Sequence, residues 1–435
     1  MYVKTIEIRY YKFGSLLAFD SDMQYNQYIT YLYYSYRGVF VKEKLRGFDY
    51  TLIVIPLLLA GFGIVMVYSA SMVSAVVDGL ESTYYLKKQL QWFILGLIGF
   101  IFCCLFPYRS FQKLTIPIVI ISILLLIGVL LFGETVNRAT RAIEIFGFNI
   151  QPSEFVKLAL IIYLASVYSK KQDKINSFKE GVLPPLILTG LFVTLIVAQP
   201  DIGTASIIIL IVSTIILSSG IQFKHLIFLG TVALGILALI VPQLITETRI
   251  ARFTGAYRPF ANPDAEGYHL IQSYLAIGGG GINGEGLGQS VQKLGYLWGA
   301  HTDFIMSVIA EELGIFGVII VIGLFITIVL RGLYIAKKCP DSFGSLLAIG
   351  ISSMVAIQAI VNLGAISGIL PITGVTLPFI SYGGSSLLVV MISMGILNNV
   401  ARYVRLYEQQ PKTVETEDIN KVSQRRERTW NTLER

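Results

Sequence analysis

A chain of 435 residues that is 54% hydrophobic, only 14% charged and has a mean hydropathy of +0.69 is not an ordinary soluble domain, where about a quarter of residues are charged. Its formal charge of +7 resides mostly in short loops and tails flanking apolar runs, which suits an anionic membrane leaflet and gives no reason to expect nucleic acid as a partner. Cys103, Cys104 and Cys339, two in an apolar run and one in an inside loop, exclude an external disulfide framework.

In chain order, residues 1–45 are Tyr-rich and lack an apolar core of signal-peptide length, so a poorly ordered cytoplasmic extension is expected. Ten apolar runs follow, near 50–72, 89–106, 113–132, 152–169, 182–198, 203–220, 223–243, 304–332, 343–366 and 383–401. Each approaches the ~20 residues, or ~17 at the short end, that cross roughly 30 Å of hydrocarbon. With the N-terminus inside, 25 of the 34 Lys and Arg face the cytoplasm and eight face outward, while Lys157 falls within a span. The four short inside loops alone carry ten, the asymmetry of the positive-inside rule. The expected fold class is an all-α polytopic membrane protein of about ten transmembrane helices, N-in and C-in, in the cytoplasmic membrane. One transmembrane domain covers 46–405, and the Lys/Arg/Glu-rich segment 406–435 reads as a disordered cytoplasmic tail.

The spans fall into a group of seven and a group of three. Between them, 246–303 is the one large external loop, and a connection of that length is usually functional. Within it, Tyr268–Ile277 has helical apolar spacing and is expected to lie as an amphipathic segment at the interface. The glycines that follow are not a dinucleotide loop, since no βαβ pattern surrounds them. No internal repeat of the transporter kind is visible.

Polar groups inside apolar sequence mark the candidate site. Gln151-Pro152-Ser153-Glu154 opens the fourth span. Glu154 is either a first-turn residue suited to the helix dipole or, sharing a face with Lys157 at i, i+3, one wall of a polar cavity. Gln199-Pro200-Asp201 is either a tight turn whose Asp201 caps the sixth helix or a second carboxylate of that cavity. Trp298–Gly314, WGAHTDFIMSVIAEELG, places His301 and Asp303 at a helix mouth and Glu311 and Glu312 further in. Asp303 either caps that helix, which would lower its pKa, or is a base whose pKa burial raises. Pro371–Ser386, PITGVTLPFISYGGSS, is irregular backbone at membrane depth, tolerated where it is buried or lines a cavity; its Ser381, Tyr382 and Gly383 are candidate substrate contacts.

Six strings in order make a wider pattern: YSAS at Tyr68–Ser71, QPSEFVKL at Gln151–Leu158, AQPDIGT at Ala198–Thr204, GYHLIQSYLAIGGGGINGEGLG at Gly267–Gly288, AHTDFIMSVIAEELG at Ala300–Gly314 and LPITGVTLPFISYGGSS at Leu370–Ser386. Over about 46–405 the chain resembles the SEDS family (shape, elongation, division and sporulation proteins). GLGQSVQKLG at Gly286–Gly295 and VTLPFISYGG at Val375–Gly384 look like its cell-division branch; the elongation branch more often has proline where Thr376 stands.

The resemblance implies a peptidoglycan glycosyltransferase that polymerises lipid II onto a lipid-linked glycan during septal wall synthesis. The implied partners are a class B penicillin-binding protein and other division membrane proteins. The family's proposed catalytic Asp falls on Asp303, its cavity carboxylate and lysine on Glu154 and Lys157, and its QPD aspartate on Asp201. The chain departs from the family pattern at LWGA before His301, at Arg138 and Ala142, and at His269.

Joining an α-linked diphosphate donor to a 4-hydroxyl in β-linkage inverts the anomeric carbon, so one general base suffices, with Asp303 in that role. The leaving diphosphate asks for cations: Lys157, Arg252, or a divalent ion such as Mg²⁺ or Mn²⁺. His301 is a further hydrogen-bonding candidate, and no organic cofactor is implied. A lipid II flippase using the same polar groups, or a division scaffold without chemistry, are the competing readings.

Overall fold

The computed structural model describes residues 47–409, apart from 137, 138, 146, 245 and 246. The chain divides after Phe48, and the unit from Asp49 onward holds every element below. The expected extension 1–45 and, of the expected tail 406–435, residues 410–435 lie outside the described residues, as does Arg138; residues 406–408 are not tail but the end of the last helix.

A helix occupies each of the ten predicted apolar segments: α1 (Thr51–Val77), α2 (Tyr84–Leu105), α4 (Thr115–Phe132), α5 (Pro152–Lys170), α6 (Leu183–Ala198), α7 (Ile202–Ser218), α8 (Phe223–Leu244), α11 (Ile305–Lys338), α12 (Ser342–Ile366) and α13 (Gly384–Glu408). In hydrocarbon every backbone N–H and C=O needs an internal partner, and uninterrupted Leu/Ile/Val runs meet that need as helices. Among the described residues seven helices are long and apolar enough to cross a membrane. α6 counts among the seven together with the π-helical turn Phe178–Val182 that runs into it, making 21 residues, whereas α7 has 17 and α5 carries Glu154, Lys157 and Lys170.

Three features depart from the sequence expectation. A short helix α3 (Tyr108–Lys113) links α2 to α4, and a three-stranded antiparallel meander, β1 (Glu134–Val136), β2 (Ala139–Ile145) and β3 (Phe148–Ile150), links α4 to α5. The fold is therefore mostly helical rather than all-α. Strands this short, with β2 pairing through Thr135↔Thr140 on one side and Glu144↔Asn149 on the other, leave little periodicity to read.

The long connection is also structured, with α9 (Glu247–Tyr257), α10 (Tyr268–Gly280) and single 3₁₀ turns at Pro259–Ala261 and Gln292–Leu294. The amphipathic stretch Tyr268–Ile277 is helical as expected, but its apolar stripe is covered by protein. Leu270, Ser273 and Ala276, spaced i, i+3, i+6, are fully buried, and the Ser273 hydroxyl bonds Ser307 Oγ of α11 (2.8 Å) and Ile366 O of α12 (2.9 Å).

Helix starts follow local chemistry. Pro152 at the first turn with Glu154 behind it opens α5, a favourable pairing with the dipole. Asp341 caps α12 by accepting from Gly344 N (3.2 Å). At the end of the bundle remote from the long connection, Arg331 of α11 clasps Asp49 ahead of α1 (2.6 Å), and Asp49 N donates to Asn398 of α13 (2.9 Å).

Candidate active site

Four chain segments converge around the irregular stretch between α12 and α13. Phe379 there has φ +66°, unfavourable for a side-chain-bearing residue, and is held because the backbone is pressed against α1. A β-carbon at Gly63 would lie 2.7 Å from Ile380 Cα, so α1 comes this close only with glycine.

The Asp303 turn hangs from this stretch. Ser381 Oγ donates to Thr302 O (2.5 Å) and accepts from Leu377 N (2.8 Å), while Tyr382 N donates to His301 O (2.9 Å). Asn362 of α12 donates from one amide nitrogen to both Asp303 O and Val375 O (2.8 Å each). Ser381 and the Tyr382 backbone thus hold the turn in place. Gly383 is the N-cap residue of α13.

Asp303 does not cap α11: its cap position is Phe304, with no side-chain hydrogen bond. Among the described residues the one side-chain donor to its carboxylate is Thr302 Oγ1 (2.7 Å), and the residue keeps part of its surface open. Burial lifts its pKa above the ordinary aspartate value, opposed by the Thr302 hydroxyl, its own backbone amide and His269. Those are the properties of a base rather than of a cap. His301 is held neutral, its pKa pushed down to about 4 by burial, and its ring lies 4.6 Å from Tyr85 and 5.7 Å from Tyr382.

Asp201 caps α7, accepting from Thr204 N (3.2 Å) and Thr204 Oγ1 (2.8 Å), and also accepts from Gln151 Nε2 (3.3 Å). Gln151 N donates to Ser385 Oγ at the start of α13 (3.0 Å), so both the QPSE and the QPD strings are tied to the same crossing. Glu154 and Lys157 pair at 2.8 Å, both buried. On one side of the lysine, α5 and α7 present aliphatic side chains, Leu160, Ile161, Leu164 and Ile211. Arg252 is exposed on α9 and is not drawn into the Asp303 turn.

Sequence reasoning missed a second buried ion pair. Lys293 binds Glu312 (2.7 Å), and Ser69 of the YSAS string donates to the same carboxylate (2.7 Å). Glu311 accepts from Ser290 Oγ (2.5 Å) and Val291 N (2.8 Å). The helix can serve the loop this way because α11 breaks at Gly314, φ +64°, a conformation glycine adopts freely. Loop amides of Glu285 and Gly286 then donate to the carbonyls of Glu311 and Glu312 (2.9 and 3.0 Å). The readable signal was Lys293 near two carboxylates inside an apolar run. Asn362 and Gln89, which donates to Ser381 O (3.3 Å), were legible in the same way.

Among the described residues no three His, Cys, Asp or Glu side chains gather as a metal cage. A Mg²⁺ or Mn²⁺ ion bound with substrate would need only one or two protein carboxylates, the rest of its shell being water and phosphate oxygens, and Asp303 is the carboxylate of this turn.

Residues 50–406 match the family of FtsW, RodA and SpoVE proteins, described as "Cell cycle protein". The probable peptidoglycan glycosyltransferase FtsW of Bacillus subtilis is 50% identical over 382 residues, covering 86% of this chain and 95% of that protein. Stage V sporulation protein E of the same organism is 40% identical, covering 82% and 98%. Among solved structures, a chain of a peptidoglycan synthase complex that coordinates polymerization and crosslinking superposes with a TM-score of 0.68 at 29% identity, covering 82% of this chain and 99% of its own. Thermus thermophilus rod shape determining protein RodA gives 0.59 at 26%, covering 82% and 98%. The chain belongs to the FtsW/RodA/SpoVE family.

Proposed function

From that membership we propose that the chain is the peptidoglycan glycosyltransferase of cell division, polymerising lipid II at the outer face of the cytoplasmic membrane. The observation that carries the chemistry is the Asp303 carboxylate: uncapped, partly open and lifted in pKa by its surroundings. A base tuned upward toward the working pH is what proton transfer from a sugar hydroxyl requires. The acceptor 4-hydroxyl gives its proton to Asp303, its oxygen bonds the donor's anomeric carbon, and the bond from that carbon to the diphosphate breaks. Undecaprenyl diphosphate leaves with the electron pair, and the anomeric centre inverts.

The ten helices at predicted segments support ten spans in one domain over 46–405, and the Lys and Arg bias supports both termini inside with 246–303 external. A class B penicillin-binding protein as crosslinking partner, and placement at the septum with other division proteins, rest on the relatives' names and on the synthase complex. Arg252, on the long connection, remains a candidate contact for diphosphate. A divalent cation such as Mg²⁺ or Mn²⁺ would supply neutralisation of the charge that develops on the leaving diphosphate.

The test is purified protein in detergent with lipid II alone. Asp303→Asn should cut polymer by about 10²–10⁴-fold, the usual worth of a positioned base, with the protein still folded. Wild-type output from that variant removes Asp303 from the chemistry. A wild-type protein that makes no polymer returns the flippase reading, since detergent has no two sides.

A further inference from the structure

Asp303 sits midway round a closed ring of chain. Lys293 stands ten residues before it and Glu312 nine after it, and their side chains meet at 2.7 Å, both buried. Glu311, beside Glu312, accepts from Ser290 Oγ (2.5 Å) and Val291 N (2.8 Å), so two successive carboxylates of α11 grip the neck of the ring. Ser69 joins that neck to α1, donating to Glu312 Oε1 (2.7 Å) and accepting from Lys293 Nζ (2.9 Å).

The two arms of the ring differ in stiffness. From Ile305 to Glu312 the chain is helix, a strut that carries any shift of the neck to the base. From Leu294 to Gly299 only Leu297 is buried, and Gly295 and Gly299 take φ of +114° and +74°, which leaves this arm pliable. Closing the neck removes the freedom that so loosely packed an arm would otherwise keep. The apex is fastened to the α12–α13 stretch through Ser381, the Tyr382 backbone and Asn362.

A buried ion pair is a weak source of stability, because apolar side chains of similar volume often serve as well, and its best-attested use is to fix register. The register fixed here is that of the base. We propose that Lys293, Glu312 and Ser69 are positioning residues for glycosyl transfer, closing the ring so that the Asp303 carboxylate is presented at a set depth and direction. The proposal rests on the glycosyltransferase reading above, with Asp303 as its base.

Purified full-length protein in detergent with lipid II tests it. Lys293→Met combined with Glu312→Gln removes the pair without stranding a charge, so the double variant should melt near wild type. Its kcat should fall about 10²-fold, the cost of a roughly 1 Å misplacement, with KM unchanged, as when an interaction made only in the transition state is lost. Burial raises the Asp303 pKa, and His269 of α10 is the titratable group that opposes it. A loosened apex admits water, so the acid limb of the kcat profile should also move to lower pH. A purely structural clasp would move neither kcat nor the limb. Ser69→Ala keeps the ion pair and loses one hydroxyl; its kcat should fall about fivefold, the weight of one hydrogen bond, at an unchanged melting temperature. If the double variant does not fold, Ser69→Ala decides alone, and wild-type kcat there overturns the proposal. A folded double variant with wild-type kcat and acid limb, alongside an inactive Asp303→Asn, overturns the positioning role and leaves the enzyme reading standing. An active Asp303→Asn fails that reading first and takes the positioning role with it.

Discussion

At the scale of the residue, the position of Asp303 has opposite consequences for activity and stability. A base works only when deprotonated, so activity should fall as pH drops through its raised pKa, which lies above the ordinary 3.8. His301 titrates near 4 and stays neutral over most of that range. The acid limb of the kcat profile should therefore persist in His301→Gln, and its loss in that variant would assign the limb to the histidine. For stability the sign reverses. A carboxyl whose folded pKa is raised favours its protonated form, so its contribution is present below the unfolded pKa and is lost as pH rises through the folded one. At neutral pH the ionised Asp303 is thus a liability that Asn does not carry, and Asn can still accept from Thr302. Asp303→Asn should melt at or above the wild-type temperature, a trade-off common at active sites. A large drop in its melting temperature would make Asp303 a structural residue.

At the scale of the element, α5 carries a buried i, i+3 ion pair with aliphatic side chains of α7 against its lysine, and breaking it from one side strands a charge. Glu154→Gln and Lys157→Met should each destabilise the protein by about 3–5 kcal/mol, the usual cost of an uncompensated buried charge. The double variant should recover much of the loss, since the two changes are coupled rather than additive. Thermal melts of the three proteins check this, and singles that melt as wild type would mean that water reaches the pair. This pair also shows where sequence reading stops. The i, i+3 spacing made Glu154 and Lys157 partners, yet the aliphatic side chains of α7 that close over the lysine come from a helix some fifty residues on. Asp201 was legible as a cap because capping is local. Lys293, Glu312 and Ser69 were legible singly, as polar groups in or beside apolar sequence, but not as partners, because the three come from separate segments. The β1–β3 meander escaped because strands of three residues carry almost no period.

At the scale of the whole molecule, the charge asymmetry of the loops makes a claim about sidedness that the bundle's internal contacts do not test. Apolar length places segments in hydrocarbon, but only the Lys and Arg bias orients them. That bias puts the Gln172–Lys174 turn inside, with Lys170, Lys171, Lys174 and Lys179 around it, and the long connection outside. Asn262, Asn283 and Gln172 are all exposed, so a cysteine at any of them is equally open to reagent and differs only in its side of the membrane. In a background lacking Cys103, Cys104 and Cys339, a membrane-impermeant maleimide added to intact cells should label cysteines at 262 and 283 but not at 172. Permeabilisation should then expose 172. Labelling of position 172 from outside would invert the orientation, and with it the claim that Asp303 faces the compartment where wall is built. Such a result would leave the site geometry intact but deprive it of its substrate, because a base at the inner mouth of α11 cannot extend a glycan on the outer face.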